Sequence, residues 1–306
     1  MEGIMMRNRG RYAIAVRKPD GEIEVHTDDY RSVIDVPGLQ KIPIVRGVVN
    51  FIDSLVVGIR CLMFSASFFE EEEEEEAGTS GKPEKKELSP EEQRKQEKQE
   101  KAFMTGTLFI AVVIAVVLFM AVPLFLSRLI GQNFSSHLAR SVLESSIRVG
   151  IFIAYMVAIS RMKDIQRTFE YLGAEHKCIN CIEDGRDLTV ENVLASSRQH
   201  RRCGTSFLFF VIFVSVIFQM FIFADNRLTQ LGIRLLLIPV IAGISYEIIR
   251  LAGRSDHPLV QLLSRPGLAL QKLTTREPDA SQAEVAIQAV EAVFDWKAFL
   301  HGEGDV

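Results

Sequence analysis

The residues best equipped for chemistry lie in one polar stretch, 161–205. It holds Glu175, His176, Lys177, Cys178, Cys181 and Glu183, and then His200, Arg202 and Cys203. Cys178 and Cys181 form a Cys-x-x-Cys knuckle, and His200 and Cys203 repeat that spacing with His in the first place. Two knuckles about 20 residues apart suit a tetrahedral divalent-metal site, zinc above all, because thiolate and imidazole are its preferred ligands. His176 stands beside them as an extra ligand. A shell that kept a water would be catalytic, with the metal lowering the water's pKa and Glu175 or Glu183 taking its proton. A closed shell of three Cys and one His would be a structural clip. A third reading needs no metal: small buried cysteines pack a cap and His200 bonds to backbone. The His-Glu-x-x-His pattern of metalloproteases and the His-x-Glu, Pro-Cys-x-x-Cys pattern of deaminases do not occur.

A second polar group follows later in the chain, where Ser245-Tyr246-Glu247 precedes Arg250. Glu247 and Arg250 are spaced i, i+3 and can pair on a helix. A carboxylate at a bilayer boundary is costly unless paired or useful. Glu247 is therefore either a local ion-pair partner or a member of the same site as the His/Cys loop.

The elements that must position these groups are mostly apolar. Hydrophobic residues make up 48% of the 306, and mean hydropathy is +0.15. Charge is segregated from them, as a bilayer demands. Ala102 to Ser127 carries no charge and spans hydrocarbon. Cys203 to Ala224 is a second such run. Val149–Ser160 and Leu235–Tyr246 are shorter, bounded by Arg148 and Arg161 and by Arg234 and Glu247. Both are expected to span, with the flanking arginines snorkelling outward. Residues 42–69 read as an amphipathic helix with Arg46, Asn50, Asp53 and Arg60 on one face, either an interface helix with a solvated stripe or a membrane-dipping helix whose stripe lines a cavity.

Around this bundle the polar segments divide the chain. In region 1–69, Tyr12, Ile14 and Val16 alternate with other side chains and Pro19-Asp20-Gly21 supplies a turn, so a β-hairpin precedes the amphipathic helix. Segment 70–101 opens with seven Glu and continues in Gly, Ser, Pro, Lys and Gln, as expected of a charged, disordered or solvated linker. The bundle occupies 102–254. A tail, 255–306, enters a helix near Thr274–Asp279 with an apolar stripe of Val285, Ile287, Val290, Val293 and Phe294. No cleavable signal peptide is expected, since Met1 to Arg31 is polar and strand-like. Loop 161–205 carries eight Lys/Arg, against three in 128–148 and two in 225–234. The positive-inside rule then puts that loop, and with four spans both termini, in the cytoplasm. There the four cysteines, Cys61 included, stay reduced. No basic, aromatic platform for nucleic acid exists.

The chain resembles the YqhQ family of bacterial membrane proteins along most of its length. The matching blocks include Glu2-Gly3-Ile4-Met5-Met6-Arg7, Pro43-Ile44-Val45-Arg46-Gly47, Gly173-Ala174-Glu175-His176-Lys177, Arg202-Cys203-Gly204-Thr205-Ser206, Ile244-Ser245-Tyr246-Glu247 and Thr274-Thr275-Arg276-Glu277-Pro278. The resemblance implies roles for Glu175, His176, His200 and Cys203, but the family pattern does not reliably carry Cys178 and Cys181. Its members are often labelled predicted metal-dependent enzymes.

Taken together, the expectation is a mainly α, polytopic protein of the bacterial plasma membrane. It has about four transmembrane helices, an amphipathic helix, a small N-terminal β-hairpin and a cytoplasmic cap. Two functions compete: a metal-dependent hydrolase at the inner membrane surface, or a non-enzymatic transport, regulatory or assembly factor with a His/Cys clip. The lipid bilayer is the expected partner, with a second copy or another membrane protein as further candidates.

Overall fold

The computed structural model describes residues 2–34, 36, 38–76, 105–133, 136–222, 226–255 and 257–302. Three strands open the chain: β1 (Gly3–Asn8), β2 (Arg11–Arg17) and β3 (Ile23–Asp29). They form an antiparallel sheet in sequence order, with Gly3 opposite Val16 and Arg17 opposite Ile23. The expected hairpin is β2–β3, turned at Gly21 with φ of 88°. An isolated hairpin is marginal in water, and β1 is the extra strand that completes it. Helices then follow: α1 (Val45–Glu76), α2 (Thr105–Ile130), α3 (His137–Ile159), α4 (Lys163–Glu183), α5 (Val190–Ala195) and α6 (Gly204–Met220). The last four are α7 (Arg227–Ala252), α8 (Pro258–Thr274), α9 (Ala280–Glu291) and α10 (Trp296–Leu300).

The fold is mainly helical, and among the described residues four helical stretches are long and apolar enough to cross a membrane: Val45–Ser65, Thr105–Ile130, Leu138–Ile159 and Leu228–Ala252. Two differences from the sequence expectation stand out. Val45–Ser65 qualifies although its polar stripe favoured an interface helix over one that enters the membrane. Gly204–Met220, the expected second span, has only 17 residues. The runs 149–160 and 235–246 prove to be the charge-free second half of α3 and middle of α7, because Arg148 and Arg234 lie inside those helices. The linker expected to begin at residue 70 starts as helix, α1 continuing to Glu76; its part 77–101 lies outside the described residues.

Contacts divide the chain into two units: residues 1–70, 156–215 and 236–306, and residues 71–155 with 216–235. The first unit holds the sheet between two apolar layers. On one face Ile4, Met6 and Ala15 share a core with Tyr171, Ala174 and Cys178 of α4 and with Ala283, Ala286 and Val290 of α9. On the other, Tyr12, Ile14 and Val16 pack on Val57 and Cys61 of α1. The strand period of two thus feeds two cores. Asp279 caps α9 in a capping box with Gln282, which fixes the helix entry expected at 274–279. The stripe buries Val285 and Val290 with three alanines, while Ile287, Val293 and Phe294 pack at its margin.

Backbones approach closely where α4 meets the segment before α9. Arg276 N–H donates to the Phe169 carbonyl at 3.0 Å. A Cβ at Gly173 would overlap the Arg276 carbonyl oxygen, so only glycine fits there. α8 was not expected, since Pro258 and Pro266 both fall within it. Pro258 sits in its first turn, where no helical N–H is lost.

The second unit carries a π-helical turn at Val117–Ala121 within α2. Such a turn loosens the backbone ladder, and the Phe119 carbonyl accepts from Arg148 Nε at 3.0 Å.

Candidate functional site

The amphipathic spacing of α4 decides what its polar residues can do. Positions 176, 177 and 180 share one side of the helix, and 178 and 181 another. Cys178 and Cys181 are wholly buried in the sheet-facing core, and the Cys181 thiol donates to the Asp187 carbonyl at 3.4 Å. Burial pushes both thiols up from their ordinary pKa.

His176, Lys177 and Asn180 instead meet the segment that follows α5. His176 Nδ1 donates to the Arg198 carbonyl at 2.7 Å. Lys177, 3% exposed, donates from Nζ to the carbonyls of Leu194 (2.8 Å) and Ser196 (2.7 Å). It also pairs with Glu277 at 2.9 Å. Asn180 Nδ2 serves the carbonyls of Ser197 (2.6 Å) and Gln199 (3.0 Å). Three side chains of one helix thereby hold five carbonyls between residues 194 and 199. A buried ammonium needs such partners, and a loop with no ladder of its own needs such donors.

The next residue is held from α8. Gln271, fully buried, accepts from His200 N–H at 2.9 Å and donates to the His200 carbonyl at 2.7 Å and to Ser206 Oγ at 2.8 Å. This amide escaped the sequence reading, because α8 itself was not expected. The His200 ring faces Glu183 at 3.3 Å, and Arg202 Nη2 reaches the same carboxylate at 3.3 Å. The His200 bond, chiefly, holds Glu183 below the usual carboxylate range.

A cavity of 240 Å³ collects Glu175, His176, Glu183, His200, Arg202 and Cys203 on its wall. The rings of His176 and His200 are 6.0 Å apart. Burial raises the Glu175 carboxyl and the Cys203 thiol above their ordinary values. Cys203 Sγ accepts from Thr205 N–H at 3.4 Å, at the start of α6. The cavity therefore keeps the His/Cys half of the expected metal set and loses the Cys-x-x-Cys half to the core. Among the described residues, no three His, Cys, Asp or Glu side chains gather in a group that could hold a metal ion.

Glu247 is not on that cavity's wall. Its principal partner is Arg46 of α1, bonded through Nε to Oε1 at 2.6 Å and through Nη2 to Oε2, a two-pronged fit. Arg250, the partner expected from spacing, stands 4.0 Å away. α1 and α7 come close enough for this because Gly47 and Gly243 face each other; a Cβ on Gly47 would lie 3.0 Å from Gly243 Cα. Nor is the α1 stripe solvated throughout. Asp53, 1% exposed, accepts from Tyr30 Oη, Ser32 Oγ (2.7 Å) and Val33 N–H (2.8 Å).

The second unit holds a polar group that the sequence reading missed. Glu144 of α3 accepts from Arg148 Nη2 at 3.0 Å and from both Nη atoms of Arg234 in α7, one at 3.0 Å. All three side chains are 7% exposed or less. The arginines do not snorkel; they turn inward. The i, i+4 spacing of Glu144 and Arg148 was the signal available.

Comparison with known proteins adds a family. The model of a family described as "Protein of unknown function (DUF1385)" matches residues 42–296. The chain is 34% identical over 298 residues to "Uncharacterized protein YqhQ" of Bacillus subtilis (strain 168), covering 94% of this chain and 88% of that one. No solved structure matches.

Proposed function

The chain belongs to the DUF1385 family of proteins of unknown function, and on that premise we propose a multi-pass plasma-membrane protein that works without catalysis. Its first unit forms a cytoplasmic cap, and the protein acts as a regulatory, assembly or transport factor built on that cap. The observation that carries this is the clip. His176 and Lys177, both expected to belong to a site, are committed with Asn180 to the carbonyls of 194–199.

Parity supports the topology. The sheet, α4 and α9 share one core, so they lie on one side of the bilayer. An even number of crossings must then separate β3 from α4, yet α1, α2 and α3 all qualify by length and composition. α1 is the helix that stays, because Asp53, Val57 and Cys61 remain bound to the sheet region along its length. The same parity between α5 and α9 makes α6 cross with α7. Its 17 residues reach about 26 Å, at the short end for a span. The eight Lys/Arg of 161–205 set the cap inside. Tags inserted within 77–101 and after Val306 should both report from the cytoplasm; an external signal from either removes this topology.

A metal-dependent hydrolase is the second reading, favoured by one feature. Because His176 Nδ1 donates to a carbonyl, the neutral ring keeps a lone pair on Nε2, as metal-binding histidines do. Glu175, Glu183, His200 and Cys203 share its cavity. Elemental analysis of the purified protein separates the two. Stoichiometric metal that is lost in both His200→Ala and Cys203→Ser would sink the clip. A folded cap without bound metal, resistant to protease across 186–202, supports it.

A further inference from the structure

A larger cavity, 450 Å³, opens on another part of the cap between the end of α3 and the segment joining α8 to α9. Arg198, Lys272 and Arg276 line it, together with Ser160, Thr275 and two acids, Glu170 and Glu277. The volume lies in the range of small-ligand pockets. A neighbouring hollow shares Arg198, Lys272 and Glu277.

The charges do not cancel, because each acid also serves a cation that is not on the cavity wall. Glu277 is paired with the buried Lys177 at 2.9 Å, and Arg198 reaches it only at 3.5 Å. Glu170 accepts from Gln282 at 3.0 Å and meets Arg167 at 3.4 Å. Arg276 spends its guanidinium on one carbonyl, that of Ser160, at 3.2 Å. Among the described residues neither Arg276 nor Lys272 forms an ion pair, although both stand on the wall of a concave site. Ser160 follows directly on Ile159, the last residue of the stretch Leu138–Ile159 that qualifies as a span.

We propose that this cavity binds a phosphate-type anion, held by Lys272, Arg276 and Arg198. Guanidinium pairs well with such oxygens, and an ammonium adds a mobile point charge. Its position at the end of a span makes the headgroup of an anionic lipid one source, and that source rests on the cytoplasmic cap proposed above. A soluble phosphate compound is the other, and it does not depend on the topology.

The test uses the full chain, purified and stripped of lipid. Native mass spectrometry and thermal unfolding would be followed with phosphatidylglycerol against phosphatidylcholine, and separately with glycerol phosphate against chloride at equal ionic strength. Binding of either phosphate probe should weaken about fivefold in Lys272→Gln and again in Arg276→Gln. Lys272 is exposed and forms no ion pair among the described residues, so its variant keeps the test valid if Arg276→Gln fails to fold. Preference for phosphatidylglycerol that is lost in Lys272→Gln assigns the lipid source. Glycerol phosphate binding alone, with the same dependence, assigns the soluble source and leaves the site intact. No phosphate-specific binding, or binding that neither variant weakens, overturns the proposal.

Discussion

The cap and the helices of the second unit both bury cations, and they satisfy them by opposite means. Lys177 is surrounded by acceptors: two backbone carbonyls and the carboxylate of Glu277, which is itself largely exposed. Arg148 and Arg234 converge on the one carboxylate of Glu144, deep among apolar helices. In the cap, the loop has carbonyls to spare because it has no ladder of its own, so a single ammonium finds several partners. In the helices, backbone carbonyls are spent within the helix, and the π-turn at Val117–Ala121 is a place where one is offered outward, to Arg148. A buried cation inside a bundle therefore depends on an acid, and two arginines depend on the same acid.

That dependence gives the largest expected effect. Glu144→Gln would take the carboxylate away from two buried guanidiniums, and breaking a buried pair typically costs about 3–5 kcal/mol. Equilibrium unfolding in detergent measures it. A loss below about 1 kcal/mol would show that the arginines reach water, and the contrast with the cap would collapse. Lys177→Met comes next. It keeps the aliphatic stem but leaves the Leu194 and Ser196 carbonyls without their donor, at roughly 2–3 kcal/mol. Protease should then cut first within 186–202. Unchanged proteolysis would mean that the loop is held without the clip.

A smaller effect sharpens the distinction between core and metal ligand. Cys178 is buried against α9 and the sheet, so Cys178→Ala should cost about 1 kcal/mol and leave metal content unchanged. A matched loss of metal would return Cys178 to a ligand set, which its place in the core does not suggest.

These contrasts also explain what the sequence could disclose. The apolar run of 102–127 was legible as a span because a bilayer imposes composition directly, while 203–224 was legible as apolar but proved a shorter helix. The hairpin was legible from alternation around Pro19-Asp20-Gly21. Glu175, His176, Glu183, His200 and Cys203, grouped by sequence, line one cavity because α4 holds the segment that leads to His200 against itself. Cys178 and Cys181 were grouped with them by knuckle spacing alone. The face of α4 on which they fall depends on what packs against it, and α9 arrives from 100 residues away. Glu144 was hidden for a different reason. Searching for charge-free windows turns every arginine into a boundary, so α3 appeared to start after Arg148 rather than at His137. Arg46 as the partner of Glu247 was equally out of reach, being set by the Gly47–Gly243 approach.

The smallest expected effect concerns how the first strand is tied to the cap. Glu2 accepts from Arg167 Nε at 2.7 Å and Nη2 at 2.8 Å, and from Tyr171 Oη at 2.8 Å. Burial alone would raise the Glu2 carboxyl, but the bonds from Arg167 and Tyr171 outweigh it and hold it below its ordinary value of 4.5. Burial, with the Glu2 bond added, pushes the Tyr171 hydroxyl up, so Tyr171 stays a donor through the neutral range. A carboxyl whose pKa is lowered on folding stabilises the fold above its unfolded value. That contribution is lost as pH falls through the folded value, so the window lies below about 4.5. The tie joins β1 to α4 at a partly exposed position, which limits it to about 1 kcal/mol. Thermal unfolding of the protein and of Glu2→Gln should differ at pH 7 and converge once the pH is below the folded value. A gap that persisted unchanged into acid would mean that Glu2 contributes through shape and not through charge. The sheet would then be held to α4 by its apolar face alone, as Ile4, Met6 and Tyr171 already suggest it mostly is.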